Sequence, residues 1–469
     1  MGLGVHTFRF GVEGLDYLLK GVLRRGSLVL IYGRPGVGKT LLATTLCYRN
    51  ALDGRRCYYV SFYEDRDRLY EVMKDLNIDL NTLTTDVFRY VKLPLVTKEG
   101  LKDFIDGLLK DINTFRPDIV VIDSITPLLN VLGGSSDLRV LLHNFLYELP
   151  KIINGLVVLI AESVDVNTLT ALAYVADVVI GLKSRVVNDI VVRELVVDKV
   201  RGSQTPLAKI PFSIVSGLGI TAWVPPRLEE VPTPNYSKSF YNICSLFKDL
   251  IGDHLYGGWH IYVTYDTDAR SYDIITYIIT LALLNNSKTL LISYKFSPDD
   301  ILKVVESYLS RKGVKVNVKE LFKDNLILKG FNLAVYSVEE VYNTELELIS
   351  KVRPDVVMFF GVDLPYYYYR RGTTFKYLHN QILYLRKLNI LTFRVGSYVN
   401  EEHYRANTSL VDVVIRLLKT EDLAKQVVYV WVRGRNPKVV TYEELSKCLN
   451  ETIQTLSSNY LQHSKESSC

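Results

Sequence analysis

The chain has 469 residues, 48% of them apolar and 23% charged, with 56 basic against 51 acidic side chains. That length suits two ordinary domains, and the composition excludes a disordered, collagen-like or disulfide-scaffold chain. A net charge of +5 is too small to mark the whole molecule as a nucleic-acid binder.

Cys47, Cys57, Cys244, Cys448 and Cys469 are odd in number and scattered, with no CxxC pair, which predicts reduced thiols in a cytoplasmic protein. The opening MGLGVHTFRFGVEG has no basic stretch followed by an apolar one, and no apolar run reaches membrane-spanning length. The expectation is therefore no signal peptide and no membrane. Met is scarce at 3 residues, which leans towards a thermophile.

Along the chain, strand-like runs at Ser27–Tyr32, Cys57–Phe62, Ile119–Ile122, Leu156–Ala161 and Val178–Ile180 alternate with helical patterns. This predicts an α/β fold with a mostly parallel sheet flanked by helices. After the first strand comes Gly33-Arg34-Pro35-Gly36-Val37-Gly38-Lys39-Thr40, which fits GxxxxGK[ST] and leads into a helical run. Glycines there let successive N–H groups turn inward onto phosphate oxygens at a helix N-terminus. Lys39 would reach the β- and γ-phosphates of ATP, and Thr40 would place its hydroxyl on Mg²⁺. Strand Ile119–Ile122 ends on Asp123, a second oxygen donor for the metal. The second strand runs into Tyr63-Glu64-Asp65 at the edge where α/β sheets bind ligands. Glu64 is the candidate to orient or deprotonate water, with Asp65 as a neighbour able to take that role.

The segment from Pro225 to Pro234 holds four prolines and reads as a linker over 225–238, separating a domain at 1–224 from one at 239–447. The second stretch repeats the first. Arg116-Pro117-Asp118 returns as Arg353-Pro354-Asp355, Asp177-Val178-Val179-Ile180 as Asp412-Val413-Val414-Ile415, and Val200-Arg201-Gly202 as Val432-Arg433-Gly434. On that alignment Gly33, Gly36, Gly38, Lys39 and Thr40 become Tyr265, Asp268, Arg270, Ser271 and Tyr272. Glu64 becomes Phe296 and Asp123 becomes Phe360. The repeat is thus expected to hydrolyse nothing and to serve as a structural or partner-binding platform. The polar stretch 448–469 reads as a frayed tail.

The lead-in Gly11-Val12-Glu13-Gly14-Leu15-Asp16-Tyr17-Leu18-Leu19, with GRPGVGKT, VSFYED and VVIDS, resembles KaiC-type ATPases of the RecA superfamily. The resemblance implies two RecA-like domains, the second degenerate, and an ATP- and Mg²⁺-dependent ATPase. Members carry two acids after the second strand; Tyr63 stands at the first position here, leaving Glu64 at the second. The family's Lys-x-Arg-Gly turn, which reaches the γ-phosphate on a neighbouring subunit, matches Lys199 and Arg201. This implies a homo-oligomeric ring, with a hexamer favoured. Nucleic acid stays an open partner: Tyr366-Tyr367-Tyr368-Tyr369-Arg370-Arg371 suits base stacking as well as a tyrosine-rich protein contact.

Overall fold

The computed structural model describes residues 7–94, 100–132, 145–162, 164–187, 189–202, 209–222, 224, 226, 228–269, 271–420 and 425–466. Pro225, Arg270 and Cys469, each singled out in the sequence, lie outside them. The chain forms two compact units, Met1–Val224 and Pro225–Cys469.

In the first unit, strands β1 (Ser27–Gly33), β2 (Cys57–Ser61), β3 (Phe88–Lys92), β4 (Ile119–Asp123), β5 (Leu156–Glu162) and β6 (Val178–Val187) run parallel. They are followed by the antiparallel β7 (Ile190–Val200), β8 (Lys209–Val215) and β9 (Gly219–Ala222), giving the order β3-β2-β4-β5-β1-β6-β7-β8-β9. The central strands are buried along nearly their whole length, as parallel strands covered on both faces must be. One face packs on the helix Lys39–Leu52 and the other on the helices around Leu108, Leu128 and Leu172.

The second unit begins with a hairpin, β10 (Ser239–Tyr241) and β11 (His254–Tyr256). Its sheet consists of β12 (His260–Tyr265), β13 (Thr289–Ser293), β14 (Leu326–Gly330), β15 (Val356–Phe360), β16 (Leu391–Ser397), β17 (Val413–Lys419), β18 (Gln426–Val432) and β19 (Lys438–Thr441). The order β14-β13-β15-β16-β12-β17-β18-β19 is that of the first sheet without its last strand. The repeat read from three short motifs is therefore a repeat of topology.

Those motifs recur because their aspartates fasten strand starts. Asp177 accepts from Leu28 N at 2.9 Å, and Asp412 from His260 N at 3.0 Å. Asp118 accepts from Arg56 N at 3.1 Å and pairs with Arg25 at 2.6 Å; Asp355 accepts from Lys288 N at 2.8 Å and pairs with Lys238 at 2.6 Å. Arg116 and Arg353 both end a helix in the left-handed region, at φ 50° and 48°.

Two expectations fail here. Cys244 and Cys448 form a disulfide across 204 residues, with Cα atoms 4.9 Å apart, while Cys47 and Cys57 stay free and buried. Scattered spacing hid a pair that only tertiary packing brings together. The stretch after 447 is no frayed tail either: it continues the helix Tyr442–Glu466. Leu445, Cys448, Leu449, Thr452, Ile453 and Leu456 form a buried stripe at helical spacing, with Lys447, Asn450, Glu451, Gln454 and Thr455 exposed on the outer face. Among the described residues no helix is long and apolar enough to cross a membrane.

Candidate nucleotide site

β1 delivers the glycine loop at the carboxyl edge of the first sheet. Gly36 and Gly38 take φ of 78° and 108°, a left-handed run that side-chained residues rarely adopt. A Cβ on Gly33 would meet Leu182 O at 2.4 Å, whereas one on Gly36 would meet nothing within 4 Å. The loop is therefore tight against the sheet and open above. Lys39 opens the helix Lys39–Leu52 and is only 3% exposed. Its ammonium donates to Arg34 O at 2.9 Å and pairs with Glu162 Oε1 at 2.8 Å.

Glu162 was not anticipated. It ends β5 directly beside Gly33 in register and balances the charge of Lys39. The strand read from sequence stopped at Ala161, one residue short. The rule that drew attention to Asp123 and Glu64, an acid at the carboxyl end of a parallel strand, would have found it.

Thr40 lies near Asp123, and its side chain is among the groups that lower the Asp123 pKa. The Tyr59 hydroxyl donates to Asp123 Oδ2 at 2.7 Å, and burial raises the Asp123 carboxyl above the usual carboxylate range. A hydroxyl and a carboxylate side by side form a donor set suited to a hard divalent cation. Tyr90 stacks on Tyr59, ring centres 5.7 Å apart, and burial pushes its phenol up to about 12, with Asp123, Glu64 and Asp65 nearby. Glu64 is held back from this cluster: its carboxylate pairs with Arg68 at 3.2 Å, and Asp65 pairs with Lys92 at 2.6 Å.

Lys199 and Arg201 gather elsewhere. Lys199 donates to Ala173 O at 2.8 Å and Tyr174 O at 3.2 Å. Those carbonyls belong to the last turn of the helix Val166–Val175, an end that favours cations. Burial, then the Arg201 charge, lowers the Lys199 pKa. Arg201 pairs with Asp177 at 3.2 Å and is half exposed. Its backbone N–H binds Asp177 O, and Asp177 N binds Leu28 O, so Arg201 lies level with the start of β1. Gly33 is five residues further on, roughly 16 Å along the strand, beyond the reach of an arginine side chain.

The corresponding loop of the second unit is built differently. Register aligns Tyr265 with Gly33, Phe360 with Asp123 and Ser397 with Glu162. Asp266 accepts from Lys419 N at 3.0 Å and Asp268 pairs with the Lys419 ammonium, fastening the turn to β17. Lys295 donates to Ser397 Oγ at 3.1 Å and pairs with Asp363 at 3.5 Å. The described part of this turn holds acids and no glycine, the reverse of what a phosphate needs.

Comparison with known proteins agrees with this division. Residues 8–225 match the family described as ATPase: KaiC. The circadian clock protein KaiC2 of Synechocystis sp. is 24% identical over 313 residues, 63% of this chain and 54% of that protein. The circadian clock oscillator protein KaiC of Parathermosynechococcus lividus is 29% identical over 118 residues, 25% of this chain and 22% of that protein. The DNA repair protein RadA of Mycobacterium tuberculosis is 28% identical over 134 residues, 28% of this chain and 25% of that protein. The chain thus spans between about a quarter and a half of the length of these relatives. With the glycine loop, the Asp123 strand end and the repeated sheet all in place, the first unit is similar to the KaiC-like ATPases, and the second repeats its fold.

Proposed function

We propose that the first unit binds and hydrolyses ATP with Mg²⁺ inside a cytoplasmic homo-oligomeric ring, hexameric by resemblance, while the second unit serves as a structural or partner-binding platform. The observation that carries this reading is the Lys39 ammonium, buried beneath an open glycine loop and balanced by Glu162. On binding, Lys39 would exchange Glu162 for the β- and γ-phosphates, and the loop N–H groups would hold the remaining oxygens. Thr40 and Asp123 would hold Mg²⁺, which neutralises charge on the phosphate oxygens. Glu64 would leave Arg68 to orient the attacking water.

The position of Arg201 supports action in trans. It cannot reach its own loop, so with Lys199 it would stabilise the γ-phosphate bound by a neighbour. The test is turnover with Mg²⁺, alongside oligomer mass. Lys39→Ala and Arg201→Ala subunits, each inactive alone, should regain activity when mixed, because some interfaces join an intact loop to an intact Arg201. No recovery at any mixing ratio, with mixed oligomers confirmed, overturns the shared site.

A second reading is an ATP-gated scaffold with negligible turnover. Tyr63 at the first acid position and the Glu64–Arg68 pair favour it. Glu64→Gln separates the two: it should keep ATP binding and lose most turnover if Glu64 serves hydrolysis. Adding single-stranded DNA to the same assay tests the nucleic-acid alternative, which predicts stimulation.

A further inference from the structure

In the first sheet, Leu30 and Leu159 are register neighbours in an apolar core. The same positions of the second sheet hold Tyr262 and Arg394. Arg394 is 3% exposed and donates from Nη1 to Gln381 Oε1 at 2.8 Å, with its guanidinium carbon 4.8 Å from the Phe359 ring centre. Its Nε has no partner. Glu345, fully buried, accepts from Tyr294 Oη at 2.5 Å and Gln381 Nε2 at 2.6 Å, and burial pushes its carboxyl up to about 7. Near neutral pH it therefore offsets only part of the Arg394 charge. A guanidinium retained in a core at such cost calls for an anion to set against it.

Arg394 borders an open cavity of about 300 Å³ lined by β16 and the helices Leu364–Tyr368, Arg371–Lys387 and Glu401–Thr408. Tyr366, Phe375 and Leu378 give it an apolar, aromatic wall, and His403 and Asn407 add polar groups. Arg371 lies 4.7 Å from the Tyr366 ring centre and pairs with Glu402 at 2.5 Å. The tyrosine-arginine run is thus turned partly inward: Tyr366 accepts from Asn400 at 2.7 Å, and Tyr369 donates to Tyr336 O at 3.0 Å. An apolar pocket with a few convergent polar groups is the usual form of a small-molecule site. Its volume is at the lower end for small-molecule sites, which suits a one- or two-ring molecule.

We propose that this cavity binds a small aromatic carboxylate, with the carboxylate on the guanidinium of Arg394 and the ring on the wall of Tyr366, Phe375 and Leu378. The charge of Arg394 selects an anion over a neutral molecule. The aromatic wall selects a ring over an aliphatic chain.

The test uses the full chain and phenylacetate as probe, with phenylacetamide as its uncharged analogue, followed by calorimetry and ligand-detected NMR. Phenylacetate should bind saturably and at least about tenfold more tightly than the amide, a difference of about 1.4 kcal/mol. Arg394→Leu, which installs the residue type of the first sheet, should abolish that preference. Gly372→Trp should remove binding of both probes while leaving ATP turnover unchanged, since a Cβ there meets no atom within 4 Å and starts at the cavity edge. If Arg394→Leu does not fold, the acid–amide pair and Gly372→Trp decide the matter. Equal binding of acid and amide, no saturable phenylacetate binding, or unchanged binding in Gly372→Trp each overturns the proposal.

Discussion

The two sheets agree at the starts of their strands and differ at the ends. Asp118 and Asp177 tie strand starts in the first sheet, and Asp355 and Asp412 do the same in the second, with matching backbone partners. At the carboxyl edge, Lys39 and Glu162 give way to Ser397 and to Lys295, a lysine in the bend after β13. The starts decide which strand lies beside which, so they cannot drift without loss of the fold. The ends are where open α/β sheets bind ligands, so a sheet that binds none is free to vary there. Arg433 is the informative exception, because it keeps the aspartate of Arg201 (Asp412 at 3.7 Å, against Asp177 at 3.2 Å) in a sheet without a glycine loop. Part of what holds Arg201 in place is thus architectural.

The largest expected effect tests the ends. Lys39→Ala should reduce ATP turnover of the full chain on the order of 10²-fold or more and abolish nucleotide binding, with circular dichroism unchanged. Residual micromolar binding would reveal a second cradle in the repeat and break the contrast. Next, Arg201→Ala should lower turnover by about a hundredfold or more while Arg433→Ala leaves it unchanged. Equal effects would make both arginines structural.

Reduction of Cys244–Cys448 should lower the calorimetric transition of the second unit alone, since loop-closure entropy over 204 residues is worth on the order of 5 kcal/mol. A shift in both transitions would mean that the units melt as one. Asp412→Ala should cost about 3–5 kcal/mol, because it strands Arg386, a buried partner at 2.8 Å. Asp177→Ala should cost less, since Asp177 and Arg201 are partly exposed.

A further expected effect is a pH slope. Burial raises Glu345 from 4.5 to about 7, so the folded second unit holds a proton that the unfolded chain releases earlier. Its contribution is fully present below pH about 4.5 and is lost as pH rises through about 7, on the order of 3 kcal/mol. Glu345→Gln should flatten that slope in denaturant melts at several pH values, leaving the first unit's slope as it was.

Much of the architecture was legible because its signals are local. Gly33–Thr40 carries its own geometry, and the alternation of apolar runs with helical patterns reports a parallel sheet. What stayed hidden depends on distant residues meeting. Tyr59 belongs to the site only because β2 lies beside β4, which puts its hydroxyl on Asp123. The Arg394 network was hidden for the same reason, its members coming from the bend after β13, from β16 and from two helices. The last helix was misread through composition: Ile453 and Leu456 are few among polar neighbours, and their period was the informative quantity.

The disulfide also has a temporal meaning. Every strand of the second sheet, from β12 to β19, lies between Cys244 and Cys448. During synthesis the bond cannot close until all eight have been made, by which time the first unit is already free to fold. Its formation would therefore certify a finished second unit. A protease cut in any loop between the two cysteines would leave the fragments covalently joined, visible as two bands only after reduction.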